Sequence, residues 1–418
     1  MDEGNYQYSL VEKLSFTRPG GTEAELRAAN ILLEEIRAAG GEGSLMPFQI
    51  PSFRLERCAM RVTAPFDREI PVIPYGRAAS LPEGGKELKL YYAGKAKEED
   101  FAGKTDLSDT AVIVDELKIE GYKRLCEVKA GAVLVVMGKY YEDLTQCSAY
   151  SRNLSDQFLQ FGRLPAFVIA APDAIDLIRD EAQTVLLEMR QTDAELTSHN
   201  VLATIPGTDL AGESIILTGH YDSVPVGTGS WDNATGAATL MYIYRHFLKH
   251  PPRRTMRFVW CGSEEMGLLG SKAYVAQNEA LIPEIKFCFN FDMCGTVLGP
   301  NVIFVTGSEE LETFARQFCR HDGYSAEIWK RVHSSDSAPL ADKGVPSLGL
   351  SRGTSIATIH TRQDLIAPLS ARQLRINGDF AIRMISYVVE SQMLPVPTGM
   401  PEDVKKELDK YFHRDICK

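Results

Sequence analysis

Short stretches of this chain gather the residue types that hold divalent metals or move protons. They are GHYDS (219–223), SWDNATG (230–236), CGSEEMGLLGS (261–271), NFDMCG (290–295) and IHTRQD (359–364). Within them His220, Asp232, Glu265, Asp292 and His360 offer imidazole and carboxylate donors. Each has an ordinary explanation when taken singly. A lone His220 or His360 reads as a hydrogen-bonded structural histidine. Asp232, ahead of a helical stretch, reads as an N-cap or Asx-turn. Asp292, beside Asn290, reads as a turn residue, although a charge closing the apolar run IKFCFNF needs a partner. As a set, the residues form a borderline-soft N/O site that suits zinc and leaves other divalent ions open.

Two further carboxylates fit the same chemistry. Glu264 and Glu265 are adjacent beyond the apolar run RFVWCG, where burial and mutual repulsion raise the pKa of one of them. One can bind metal while the other shuttles a proton, as hydrolysis requires. Asp222, two residues after His220, can fix the orientation of that imidazole. Two metals about 3.5–4 Å apart share a bridging carboxylate and a water, and zinc lowers the pKa of that water to about 7.

These residues must be carried by elements that bring them together. Asn200–Ile205, Ser214–Thr218, Met256–Cys261, Ile285–Phe291 and Val302–Val305 read as strands, with helices at Gly236–Leu248, Leu268–Ala276 and Ser370–Val389 between and after them. The alternation predicts an α/β fold with a mixed central sheet flanked by helices. The ligand-type residues then fall at the C-terminal ends of successive strands, where open α/β sheets place their sites. Upstream, Thr22 and Glu25 form a capping-box pattern, and Leu26, Ala29, Leu33 and Ile36 recur at helical spacing until Gly40-Gly41. Short strand-like runs (Lys89–Ala93, Thr110–Val114, Ala132–Met137, Ala166–Ile169) mark 56–192 as an inserted smaller α/β domain. The main domain is then discontinuous, 1–55 with 193–395, and 396–418 is a tail with a short helix.

Composition narrows the class. A net charge of −11 over 418 residues leaves no basic excess for phosphates, so a nucleic-acid partner is not expected. No apolar stretch approaches the roughly 20 residues of a membrane span, and MDEGNYQYSLVEKL lacks the regions of a signal peptide. The eight cysteines contain no C-x-x-C pair and read as reduced thiols of a cytoplasmic protein.

H-x-D-S, the D-N-A-x-G loop, the Glu-Glu pair, N-x-D-M-x-G and H-T-x-x-D, in this order, resemble the co-catalytic zinc aminopeptidases. That family includes glutamate carboxypeptidase, the transferrin-receptor ectodomain and glutaminyl cyclase. The resemblance covers the helix at 20–40 and nearly everything from Ser198 to about Val389. It implies the zinc-exopeptidase fold and two Zn2+ per chain, with His220 and Asp292 on one, Glu265 and His360 on the other, and Asp232 bridging. It implies Glu264 as general base for a bridging hydroxide attacking the peptide carbonyl, and Asp222 as the residue orienting His220. The insert looks like a protease-associated domain, on YYAGKAKEEDF and GAVLVVMG. Short peptides are the expected substrates, in an aminopeptidase that could assemble as a homodimer. The chain departs from the family at SSDSAPL (334–340), where Ser337 stands for a histidine and His333 lies nearby. A carboxypeptidase, with Arg352 holding the substrate carboxylate, a glutaminyl cyclase and a non-catalytic binding module remain as alternatives.

Overall fold

Side-chain alternation along the strands builds the main sheet. In the strand Leu210–His220, Ile215 and Leu217 enter one core and Ile216 the opposite one, as a pleated strand requires. The strand Ile285–Phe291 repeats this, with Phe287, Phe289 and Phe291 on the first face and Cys288 on the second. A computed structural model describes residues 3–141, 147–355 and 357–416 of the chain. They divide into two compact units, Met1–Ile50 with Thr197–Arg414, and Pro51–Leu196 with the last four residues.

In the first unit the strand order is Ala326–Lys330, Asn301–Thr306, Ser347–Arg352, Ile285–Phe291, Leu210–His220, Arg254–Cys261 and the end of Thr184–Ile205. The middle strands, from Ser347–Arg352 to Arg254–Cys261, are mutually parallel. Antiparallel neighbours flank them on both sides. This is the mixed sheet expected from the alternating pattern. Helix Thr235–Lys249 lies against it and is buried almost all round from Thr235 to Tyr244, because helices Glu3–Leu14 and Ala371–Glu390 pack on its outer side.

Helix Glu23–Ala38 adds an apolar stripe of Ala28, Ala29, Leu32, Leu33 and Ile36 to the same core. Its start differs from the expected reciprocal capping box. Thr22 Oγ1 accepts the Glu25 amide at 3.2 Å, but the Glu25 carboxylate accepts Gly21 N, at 2.7 Å, instead of the amide of Thr22.

The second unit holds its own sheet: Lys86–Tyr92, Thr110–Val114, Ala132–Met137 and Ala166–Ala170 run parallel. The start of Thr184–Ile205 and Val72–Pro74 pair antiparallel at its two sides. Apolar clusters cover both faces of this sheet. The C-terminal helix Glu402–Tyr411, expected in a separate tail, belongs to the first unit, where Val404 and Leu408 pack on Ala341. Cysteines 58, 126, 147, 261, 288, 294 and 319 are free thiols; Cys417 lies outside the described residues. Among the described residues no helix is long and apolar enough to cross a membrane.

Candidate metal centre

The parallel strands of the first unit deliver the ligand-type residues to one edge of the sheet. His220 is the last residue of Leu210–His220, Asp292 follows Ile285–Phe291 directly, and Glu264 and Glu265 follow Arg254–Cys261 after a two-residue turn. Asp232 and His360 arrive on loops. His220, Asp232 and Asp292 then form one group able to hold a metal, and Asp232, Glu265 and His360 form a second.

Asp232 belongs to both groups, and its two oxygens diverge. Oδ1 lies 3.1 Å from His220 Nε2, and Oδ2 lies 3.2 Å from His360 Nε2. Asp292 Oδ1 is 3.6 Å from His220 Nε2, and Glu265 Oε2 is 3.0 Å from His360 Nε2. Donor atoms about 2.0–2.2 Å from a tetrahedral zinc lie roughly 3.3–3.6 Å apart. The spacing within each group is close to that. Glu265 Oε1 and Asp292 Oδ1 are buried and accept no hydrogen bond, a costly state for a carboxylate unless a cation takes it up. On both counts the donor set fits two divalent metals.

The loops that bring Asp232 and Glu265 into place are built around buried side chains. Asn233 Nδ2 donates to Phe291 O at 2.9 Å, while its Oδ1 accepts Gly236 N at 2.8 Å and Met293 N at 3.1 Å. One amide thereby ties the Asp232 loop to the Asp292 loop. Gly236 is required there, since a Cβ would stand 2.3 Å from both Asn233 Oδ1 and Phe291 O. Asp222 accepts the amides of Glu264 and Glu265 at 3.0 and 3.2 Å, and its Oδ1 also lies 3.3 Å from His220 Nδ1. It therefore sets the Glu-Glu turn as well as facing the imidazole. Asp364 accepts Trp231 N at 2.8 Å and Asp232 N at 3.1 Å, fixing the bridging loop.

Electrostatics follow from crowding. Burial alone lowers the pKa of His220, yet Glu264, Asp222, Asp232 and Asp292 outweigh it and raise it well above the usual value. His360 is likewise depressed by burial but raised to about 11 by Asp232 and Glu265. Burial, reinforced by Asp232, pushes Glu265 up to about 7. Glu264 is raised well above the carboxylate range by burial and by its acidic neighbours Glu265, Asp336 and Asp292, against the lowering effect of His220. Asp232 alone moves down, because the two imidazoles overcome its burial. Protons held this way are those that a divalent cation displaces on binding.

The five expected ligands, with Asp222 and Glu264, converge here. Arg352 does not join them: its guanidinium donates to Thr296 O at 2.6 Å and Asn301 Oδ1 at 2.8 Å, bracing a loop. Ser337 bonds with Ser335 at 2.9 Å, and His333 stacks on Phe304. Asp336 between them was not foreseen. It is 1% exposed, neither carboxylate oxygen has a hydrogen-bond partner, and burial pushes its pKa up to about 6. Its position inside SSDSAPL was the one available signal.

A parallel-sheet edge carrying two groups able to hold a metal, which share an aspartate, suits a metal-dependent hydrolase. Residues 200–385 match the model of Peptidase family M28. Over almost the whole chain, the sequence is 24% identical to Aminopeptidase YwaD of Bacillus subtilis (strain 168), covering 97% of this chain and 88% of that protein. A shorter stretch is 34% identical to Leupeptin-inactivating enzyme 1 of Streptomyces exfoliatus, covering 39% of this chain and 37% of that protein. Among solved structures, BSAP, a zinc aminopeptidase from Bacillus subtilis, superposes with a TM-score of 0.77 at 24% identity, over 96% of this chain and 98% of that one. An aminopeptidase from Aneurinibacillus sp. strain AM-1 gives 0.72 at 20% identity, over 95% and 97%. These likenesses establish the fold.

Proposed function

We propose that this protein is a zinc-dependent aminopeptidase that removes N-terminal residues from short peptides. The observation that carries the reading is the divergence of the Asp232 oxygens toward His220 and His360. On this reading His220 and Asp292 hold one ion, Glu265 and His360 the other, and Asp232 bridges. Zinc suits imidazole and carboxylate donors, although other divalent metals share that preference. Two such ions, when bound, polarise the scissile carbonyl and acidify water at neutral pH.

The chain's own residues supply the rest. Glu264 stands outside both ligand groups, with Oε2 3.9 Å from His220 Nε2. Its raised pKa equips it to take a proton from the attacking water and return it to the leaving amine. Asp222 keeps Glu264 in place through the backbone of the turn. The engagement of Arg352 by loop oxygens disfavours a carboxypeptidase, and the relatives named as aminopeptidases favour attack from the amino end. We read the second unit as a protease-associated-type module on its sequence pattern, and a reducing, cytoplasmic setting accords with the free thiols.

The test is a panel of free, amino-blocked and carboxy-blocked dipeptides, assayed with added zinc and again with a chelator. Free and carboxy-blocked peptides should be cut in the zinc-loaded arm. Cleavage of the amino-blocked peptides alone would overturn the aminopeptidase assignment, and ring closure of N-terminal glutamine without hydrolysis would favour a cyclase.

A further inference from the structure

We infer that Arg18 and Glu25, on the segment that opens helix Glu23–Ala38, are positioning residues for the metal centre, each gripping a different half of it. The inference rests on the two-metal reading above. Neither residue lies in a ligand group, and the mechanism just described leaves both unused.

Arg18 is fully buried. Its guanidinium donates to the carbonyls of Leu14 at 2.7 Å, Phe16 at 3.1 Å, Thr228 at 2.6 Å and Gly229 at 2.7 Å. It also donates to the carbonyl of Tyr221. Among the described residues no carboxylate forms an ion pair with it. Tyr221 separates His220 from Asp222, and Thr228 and Gly229 open the loop that carries Asp232. The backbone joins in: Arg18 N donates to Ser223 Oγ at 3.0 Å, and Ser223 N to Arg18 O at 3.3 Å. A planar fork with five donors can hold several carbonyls in fixed relation, which an ammonium group cannot. The cation also sits among the charges of Asp222, Asp364, Asp232 and Glu265, where it offsets their repulsion. Even with burial lowering its pKa to about 10, it stays charged at neutral pH.

Glu25, 1% exposed, performs the matching task on the other half. Its Oε1 accepts Ser263 N at 2.9 Å, Ser263 Oγ at 3.1 Å and Ser198 Oγ at 2.8 Å, while Oε2 accepts Gly21 N. Ser263 immediately precedes Glu264 and has a left-handed backbone with φ of 52°, a conformation a serine adopts only when held. Gly20 closes the contact, because a Cβ there would stand 2.3 Å from Ser263 Oγ. A cation therefore governs the His220–Asp232 side and a carboxyl group the Glu264–Glu265 side, joined by Pro19-Gly20-Gly21.

The two grips predict separable defects. Arg18→Lys should weaken zinc binding 10–100-fold, the range found when groups supporting metal ligands are altered. Glu25→Gln should lower kcat with KM unchanged and weaken zinc binding less than Arg18→Lys does, because it loosens the turn that bears both the proton-transfer group Glu264 and the ligand Glu265. Zinc affinity is read by calorimetric titration of the apo full-length chain, alongside kcat, KM and the melting temperature of the apo form. Should Arg18→Lys fail to fold, Ser223→Ala, which removes the acceptor of Arg18 N while sparing the guanidinium, is expected to weaken zinc binding in the same sense. Gly20→Ala serves likewise for Glu25, with a fall in kcat and a loss of zinc affinity smaller than that of the Arg18 variant. Variants that change only the melting temperature, with zinc affinity, kcat and KM as in the parent, would overturn the inference. Failure of the parent chain itself to bind zinc would instead remove the two-metal reading.

Discussion

The two units of this molecule each contain four parallel strands, but only one of them makes a reactive edge. In the second unit the acids beyond the strand Thr110–Val114 find separate local partners. Asp115 accepts the Tyr92 hydroxyl at 2.8 Å, and Glu116 pairs with Lys118 at 3.1 Å. In the first unit the acids converge on one another and on two imidazoles, and the nearby cation, Arg18, spends its donors on carbonyls. Among the described residues the metal-holding groups are confined to the first unit. The sheet offers an edge; the loops decide whether charge there is discharged or concentrated.

That contrast can be broken in several ways. The largest effect is expected for Glu264→Gln, which should lower kcat about 10²–10⁴-fold while zinc content by elemental analysis stays at the parent value. Retained turnover would remove Glu264 as the base. Next is Ile113→Ala in the second unit, where a fully apolar site is emptied: Ile113 is 1% exposed, and such truncations cost about 2–5 kcal/mol. Denaturant unfolding should register this, with zinc affinity unchanged; a matching loss of zinc binding would couple the units energetically.

A third prediction concerns pH. Burial raises Glu25 to about 7 and Asp364 to about 6 in the fold. Groups raised in this direction give stability that is complete below their unfolded values, near pH 4, and is lost as pH rises through 6 to 7. The apo protein should therefore lose melting temperature between pH 5 and 8 from these groups. The gain on adding zinc should grow over the same window, reaching about 2.7 kcal/mol when free zinc is 100 times its dissociation constant. A zinc-induced shift no larger at pH 8 than at pH 5 would contradict the picture of a proton-holding acidic cluster. The smallest effect belongs to Ser308→Ala, which removes the cap of helix Glu309–Asp322, a 3.4 Å bond from Leu311 N. It should cost about 1 kcal/mol by thermal melting and leave kcat alone.

His220, Glu265 and Asp292 were legible because each sits in a short motif beyond an apolar run, so the strand pattern and the chemistry point to the same place; Asp232 and His360, which arrive on loops, were legible from their motifs alone. The strands Thr110–Val114, Ala132–Met137 and Ile285–Phe291 were legible for the same reason: they are apolar and bounded by polar turns. The long strands Gly43–Ala64 and Thr184–Ile205 were not read in full, since much of each is exposed and polar and lacks one continuous alternation. Helix Glu3–Leu14 also escaped, because its buried stripe is only Leu10, Val11 and Leu14 beside many polar residues. Arg18 and Glu25 were invisible as site residues for a different reason. Their partners are backbone groups and serines some 170–240 positions away, and no local spacing encodes such a contact.

The discontinuity of the first unit has a consequence for the order in which the chain acquires structure. Pro51–Leu196 is contiguous, so its pairings are available as soon as that stretch has left the ribosome, and domains generally fold as units during synthesis. The opening fifty residues must wait. Arg18 finds Gly229 across 211 positions, and His360 arrives later still, so closure of this unit carries the slow search associated with distant contacts. Until then the stripe of Leu10, Val11, Leu14, Leu32 and Ile36 has nothing to cover it. A nascent chain released early would carry a finished second unit, an uncovered apolar N-terminal arm and no assembled metal site.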